Sequence, residues 1–188
     1  MNTTLDNISN DIENCKNCRL CEERINVIVG DGTEFAPIML IGEAPGAQEE
    51  KTGIPFVGRS GKLLMQMLCD IGICREENLY ITNTLKCRPP ENRNPKADET
   101  RACKVFLDRQ IEAHKPKVII TVGNFATKYF LGKQVAITKV HGQFFNVDGK
   151  NIFPVFHPAA LLRQQRLKPL AIEDFNTLKE YLDKNNIL

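Results

Sequence analysis

The sequence has no apolar run able to cross a bilayer, which takes about 20 residues; its longest, Ile38 to Ile41 and Val118 to Val122, are far shorter. Its first residues, MNTTLDNISNDIENCKNC, lack both the apolar core of a secretory leader and the composition of a transit peptide, being polar and partly acidic. A cytoplasmic protein with no membrane association is therefore expected. Net charge is also scarce, +2 from 25 basic and 23 acidic residues, so the total announces no polyanion binder. No internal repeat, low-complexity tract or linker divides the chain. With 188 residues, 42% of them hydrophobic, it is long enough for one substantial core, and a single domain over 1–188, acting as a monomer, is expected.

The charge that is present lies unevenly. Lys86, Arg88, Arg93 and Lys96 face one acid, Glu91, and between His157 and Lys168 the bases Arg163, Arg166 and Lys168 face none. Two loops can therefore meet phosphates, although such charges more often only face solvent. Apolar segments alternate with helical patterns: PIMLIG, GKLLMQMLCDIG, LYITN, a helix from about Ala97 to Ala113, KVIITVG and NFATKYFLG. That order reads βαβαβα. Asn151 to Phe156 adds a fourth core strand, which Gly142 to Val147 can pair as a hairpin, and Ala171 to Asn185 reads as an amphipathic closing helix. Uninterrupted apolar strands suit a parallel sheet covered on both faces. Right-handed crossovers then give an α/β fold, a three-layer α/β/α sandwich around a central, mainly parallel four-stranded sheet.

Seven cysteines without an export signal make a disulfide framework unexpected, since cytosolic thiols are kept reduced. Cys15, Cys18 and Cys21 stand at two-residue spacing, Cys87 lies in KCRPP, and Cys103 follows it. Thiolates so clustered can converge on a tetrahedral zinc or a [4Fe–4S] cluster, and spacing chooses neither the metal nor which four of the five ligate. Cys69 and Cys74 sit in or beside the helix after the glycine-rich loop, where a buried, unligated cysteine is the ordinary outcome.

Ligands of open parallel sheets bind beyond the carboxyl ends of the strands. The first strand leads there into GEAPGAQEEKTGIPFVGRSG, the second through Asn83 into TLKCRPPENRNP, the third into Gly123-Asn124, and the last into HPAALLR. An enzyme acting on a nucleobase needs a pocket, a stacking surface, a polar group to read the base edge and a wedge to fill the vacated stack. Phe56 can stack, Asn83 can donate and accept in one plane as a uracil edge requires, and His157 can hydrogen-bond a carbonyl oxygen that gains charge as a glycosidic bond breaks. Leu161 or Leu162 can wedge. Each has a plain alternative, as a core phenylalanine, a capping asparagine or a turn histidine. Their joint placement at strand ends is what favours chemistry.

GEAPGAQEEKTGIPFVGRSGKLL, YITNTLKCRPPENRNP and VFHPAALLR, in this order and spacing, resemble the iron-sulfur-containing family 4 uracil-DNA glycosylases, and the likeness runs from Cys15 to about Arg163. The resemblance implies a [4Fe–4S] cluster on Cys15, Cys18, Cys87 and Cys103, with Cys21 a spare thiol beside it. It implies a uracil pocket lined by Gly42, Glu43 and Ala44, with Gln48 nearby, Phe56 stacking, and Asn83 and His157 as catalytic contacts to the base. In the wider superfamily an Asp or Asn that positions the attacking water often follows the position of Glu43; here Ala44 stands there. The expected partner is uracil-containing DNA, single- or double-stranded, with the HPAALLR loop in the minor groove, Leu161 as wedge and Arg163 near a phosphate. The expected reaction is monofunctional, since no lysine nucleophile is suggested, and leaves an abasic site for base excision repair; a nucleoid-associated location follows. Two other readings compete: an electron-transfer protein using the cluster, and a zinc-bearing nucleic-acid module without catalysis.

Overall fold

The computed structural model describes residues 4–188. In chain order its elements are α1 (Thr4–Glu13), β1 (Asp31–Gly32), β2 (Ile38–Gly42), α2 (Ala47–Thr52), α3 (Arg59–Cys69), β3 (Leu79–Asn83), α4 (Ala97–His114), β4 (Val118–Val122), α5 (Gly123–Leu131), α6 (Ile137–Val140), β5 (Phe145–Val147), β6 (Lys150–Val155), α7 (Pro158–Arg163) and α8 (Lys168–Lys184). One six-stranded sheet forms in the order β1-β3-β2-β4-β6-β5. Its four middle strands are mutually parallel, as expected. Two short antiparallel edges extend the four central strands: β5 on β6, the hairpin expected of Gly142 to Val147, and β1 on β3, which was not foreseen.

Successive side chains of a strand point to opposite faces, and here both faces are apolar. Ile38, Leu40, Ile81, Ile120 and Phe153 face Leu64 and Leu68 of α3 and Phe175 and Leu178 of α8. Met39, Ile41, Ile119 and Ile152 face Leu107 and Ile111 of α4 and Ala126 of α5. Burial on both faces explains why β2, β3 and β4 are buried at every position and read as continuous apolar runs. Outside this sandwich, Leu5, Ile8 and Ile12 of α1 pack on Phe106 of α4, bringing the N-terminal cysteines toward the Cys87 loop.

Cys69 and Cys74 correct an expectation. They form a disulfide that closes the turn after α3, and Cys69 is exposed; a five-residue separation brings the two thiols together at the surface. No helix among the described residues is long and apolar enough to cross a membrane.

Candidate active site and metal centre

The carboxyl ends of the parallel strands open into a cleft of about 910 Å³, lined among others by Glu43, Ala44, Phe56, Asn83, His157, Leu162 and Arg163. Gly42 and Asn83 are paired across β2 and β3. The ladder continues past them, Thr84 N–H to Gly42 O at 2.9 Å and Leu85 N–H to Glu43 O at 3.0 Å, so the backbone carrying Glu43 is fixed by the strand bearing Asn83. Gly42 lies behind the cleft rather than on its wall. A Cβ there would collide with Asn83 Oδ1 and stand 2.7 Å from Phe56 Cζ, so only glycine lets carboxamide and ring approach each other.

Phe56 has φ +55, the left-handed region that a bulky L-residue adopts only when its surroundings impose it. Arg75 holds the preceding peptide, donating to Pro55 O at 2.8 Å. On the other side Glu49 Oε1 accepts Gly58 N–H at 2.8 Å, clasping the α2 turn to the loop that carries Phe56. The strain is thus held by two side chains anchored elsewhere.

His157 caps α7, and Pro158 at the first helical position supplies the preset φ that starts it. Its Nδ1 accepts Ala159 N–H at 3.2 Å, which leaves the proton of the neutral ring on Nε2. Burial, with a smaller contribution from Arg163, lowers its pKa below the usual 6.5. The cleft therefore meets a neutral imidazole in the tautomer that donates from Nε2. Gly123, at φ +77, lies against this ring: a Cβ would stand 3.0 Å from His157 Cβ. Glu43, half-buried in the cleft, has its carboxyl pKa raised above 4.5 by desolvation.

The other expected residues divide. Gln48 is exposed on α2 and does not line the cleft. Leu161, expected as wedge, is only 1% exposed and belongs to the main core; its neighbour Leu162 lines the cleft instead, because HPAALLR forms a helical turn that sends adjacent side chains to different sides. Arg163 is exposed at the cleft. Of the basic run, Lys86 is fully buried rather than turned to solvent, while Arg88 pairs with Glu50 at 3.1 Å and Arg93 with Glu99 at 2.6 Å. Arg93 and its neighbours Asn92 and Asn94 reach the cleft mouth, a role that the basic composition of the loop hinted at without assigning.

Cys15, Cys18, Cys21, Cys87 and Cys103 line one small hollow, closed by Ile12, Leu20, Leu85 and Phe106. Burial pushes the Cys103 thiol up to about 11 and raises Cys18 and Cys87. Three N–H groups face sulfurs: Lys86 N to Cys103 Sγ at 3.3 Å, Arg24 Nη1 to Cys87 Sγ at 3.3 Å and Asn17 N to Cys15 Sγ at 3.5 Å. Buried thiols with N–H donors are the surroundings in which metal-bound thiolates are stabilised. Among the described residues no three His, Cys, Asp or Glu side chains gather tightly enough for a single metal ion. Five thiols around one hollow are a donor set that a tetrahedral zinc or an iron–sulfur cluster can take.

The family model described as the uracil DNA glycosylase superfamily matches residues 29–182. A type-4 uracil-DNA glycosylase of Thermotoga maritima is 44% identical over 181 residues, covering 94% of each chain. One of Sulfurisphaera tokodaii is 43% identical over 185 residues, covering 94% of this chain and 84% of its own. The crystal structure of Pedobacter heparinus SMUG2 shares the fold, with a TM-score of 0.52 at 16% identity over 80% of this chain and 76% of that one. With the family model matching residues 29–182 and type-4 relatives above 40% identical over nearly the whole chain, the chain belongs to the type-4 branch of the uracil-DNA glycosylase superfamily.

Proposed function

We propose that this chain, acting as one domain, hydrolyses the N-glycosidic bond of deoxyuridine in DNA, releasing uracil and leaving an abasic site for base excision repair. The observation that carries this reading is the meeting of Asn83, Phe56 and His157 in one cleft at the strand ends. A uracil turned out of the stack lies on the Phe56 ring. The Asn83 carboxamide donates to one edge carbonyl and accepts the ring N–H. His157, neutral and with its proton on Nε2, donates to the carbonyl oxygen that collects negative charge as the bond to the sugar breaks, stabilising the departing uracil anion.

Water must then add to the electron-poor sugar. Ala44 cannot hold it. Of the two carboxylates lining the cleft, Glu49 already accepts Gly58 N–H, which leaves Glu43 to orient the water and accept its proton. Leu162 fills the gap left in duplex DNA, and Arg163 and Arg93 lie where the flanking phosphates pass; on single strands the wedge is dispensable.

Cys15, Cys18, Cys87 and Cys103 are the residues to hold a [4Fe–4S] cluster, which when bound supplies a brace between the N-terminal segment and the Cys87 loop. Absorbance near roughly 400 nm distinguishes it from zinc.

The test is a labelled oligonucleotide with one uracil, treated with protein and then alkali beside a thymine control. Release of free uracil and strand scission dependent on uracil, both collapsing in Asn83→Ala, are expected. A folded brown protein that leaves the uracil strand intact would move the assignment to electron transfer.

A further inference from the structure

Lys86 is a lysine only 1% exposed, three residues past the end of β3 and next to a cysteine of the metal hollow. Its ammonium has three acceptors: Thr82 Oγ1 at 2.5 Å, Gln110 Oε1 at 2.6 Å and the main-chain oxygen of Asn83 at 2.8 Å. The lysine side chain thus loops back onto its own strand end and ties it to α4. Gln110 is anchored in turn, donating to Val29 O at 2.9 Å and Tyr80 Oη at 3.1 Å. The main chain of Lys86 serves the other site: its N–H faces Cys103 Sγ at 3.3 Å and its carbonyl accepts Ile28 N–H at 2.7 Å.

We propose that Lys86 is a positioning residue shared by the two sites, its side chain fixing the Asn83 peptide for base reading and its main chain fixing the Cys103 sulfur, so that base recognition and the cysteine hollow form one mechanical unit. A surface lysine would have served phosphate binding without this burial. A hydrophobic residue would have filled the space, but it would take this donor from the Asn83 carbonyl and leave Gln110 Oε1 only the longer bond from the Thr82 hydroxyl at 3.2 Å. What the ammonium provides is a three-way tether to strand, helix and base reader that no apolar side chain can supply. The Asn83 carboxamide has to meet a planar base edge, and a displacement near 1 Å at such a contact lowers rates by about a hundredfold.

This inference rests on the proposed uracil excision and deepens it. The experiment compares wild type, Lys86→Met and the double variant Lys86→Met/Gln110→Met. The double variant removes the ammonium and the Gln110 acceptor together, and with them the Gln110 donor to Val29 O and Tyr80 Oη, of which Val29 O keeps the Thr82 hydroxyl. Three quantities are read on protein shown folded by its melting curve: single-turnover excision at saturating protein, affinity for uracil-free DNA, and the half-life of the absorbance near roughly 400 nm under an iron chelator. Expected are an excision rate lower by about 10- to 100-fold, unchanged affinity for uracil-free DNA, and faster bleaching. In the double variant the rate stays low even where the melting temperature recovers. Rate and bleaching that return to wild type along with stability would overturn the inference, since a filler of the core would behave so. If Lys86→Met does not fold, the double variant decides by the same readouts. Failure of the wild type to excise uracil would instead count against the underlying reading.

Discussion

Replacing Gly42 by alanine adds one methyl group where Asn83 and Phe56 approach each other behind the cleft. The new Cβ would overlap Asn83 Oδ1 and stand 2.7 Å from Phe56 Cζ and 3.0 Å from Phe56 Cε2. Carbon atoms rest at about 3.5–4.0 Å, so the ring has to retreat by about 1 Å. It has little freedom to do so: Phe56 is already at φ +55, and Arg75 grips the peptide before it. The carboxamide would have to rotate away at the same time. Overpacking of this kind costs about 1–3 kcal/mol of stability, and a misplacement of about 1 Å at a reacting geometry lowers rates about a hundredfold. Thermal unfolding and single-turnover uracil release, measured on the same preparations, check both. The loss in rate should be larger than the loss in stability explains, and it should persist well below the melting temperature. Gly42→Ala that keeps the wild-type rate would refute the view that glycine sets the spacing of Asn83 and Phe56.

The other predictions concern the wedge, the water and the clasp. Leu161→Ala should destabilise the fold by about 2–5 kcal/mol as a core truncation, whereas Leu162→Ala should melt like wild type and lose excision on duplex DNA far more than on single strands; equal losses on both substrates would contradict the assignment. Glu43 has to be ionised to take a proton from water, and burial raises it above 4.5, so activity should fall as pH drops through that raised value. His157, held below 6.5, should not limit activity at neutral pH. In a pH–rate profile, Glu43→Gln should remove this acid limb and lower the neutral-pH rate by about a hundredfold; an unchanged limb would reassign it. Glu49→Gln weakens the acceptor for Gly58 N–H and should raise KM for uracil DNA with little change in unfolding temperature, as steady-state kinetics will register.

The central sandwich was legible because its strands are buried on both faces and so appear as unbroken apolar runs; PIMLIG, LYITN and KVIITVG became β2, β3 and β4 nearly residue for residue. The edge strand β1 escaped notice because Asp31 and Gly32 carry no hydrophobic pattern. Helix α1 carried a signal, Leu5, Ile8 and Ile12 on one face, that its polar surroundings obscured. The placing of Asn83 and His157 in the cleft was readable from their position at strand ends, and that of Phe56 from the loop that follows β2. The choice between Leu161 and Leu162 was not, since it depends on the phase of a short helix set by the turn at His157-Pro158. Lys86 was grouped with loop charges that face solvent or phosphate, because its three acceptors, Thr82, Asn83 and Gln110, assemble only when strand and helix pack together. The Glu49 clasp joins α2 to the start of α3 and leaves no trace in local composition.

The central claim, that the Asn83 carboxamide reads the edge of the departing base, is tested most directly by Asn83→Asp. An ionised carboxylate accepts but cannot donate, so it loses the uracil carbonyl and can take up the exocyclic amine of cytosine. Single-turnover release of free base from matched uracil and cytosine oligonucleotides should show the uracil rate falling by about a hundredfold or more while the ratio of cytosine to uracil excision rises. A uracil rate close to wild type, with cytosine untouched, would show that the base is read elsewhere.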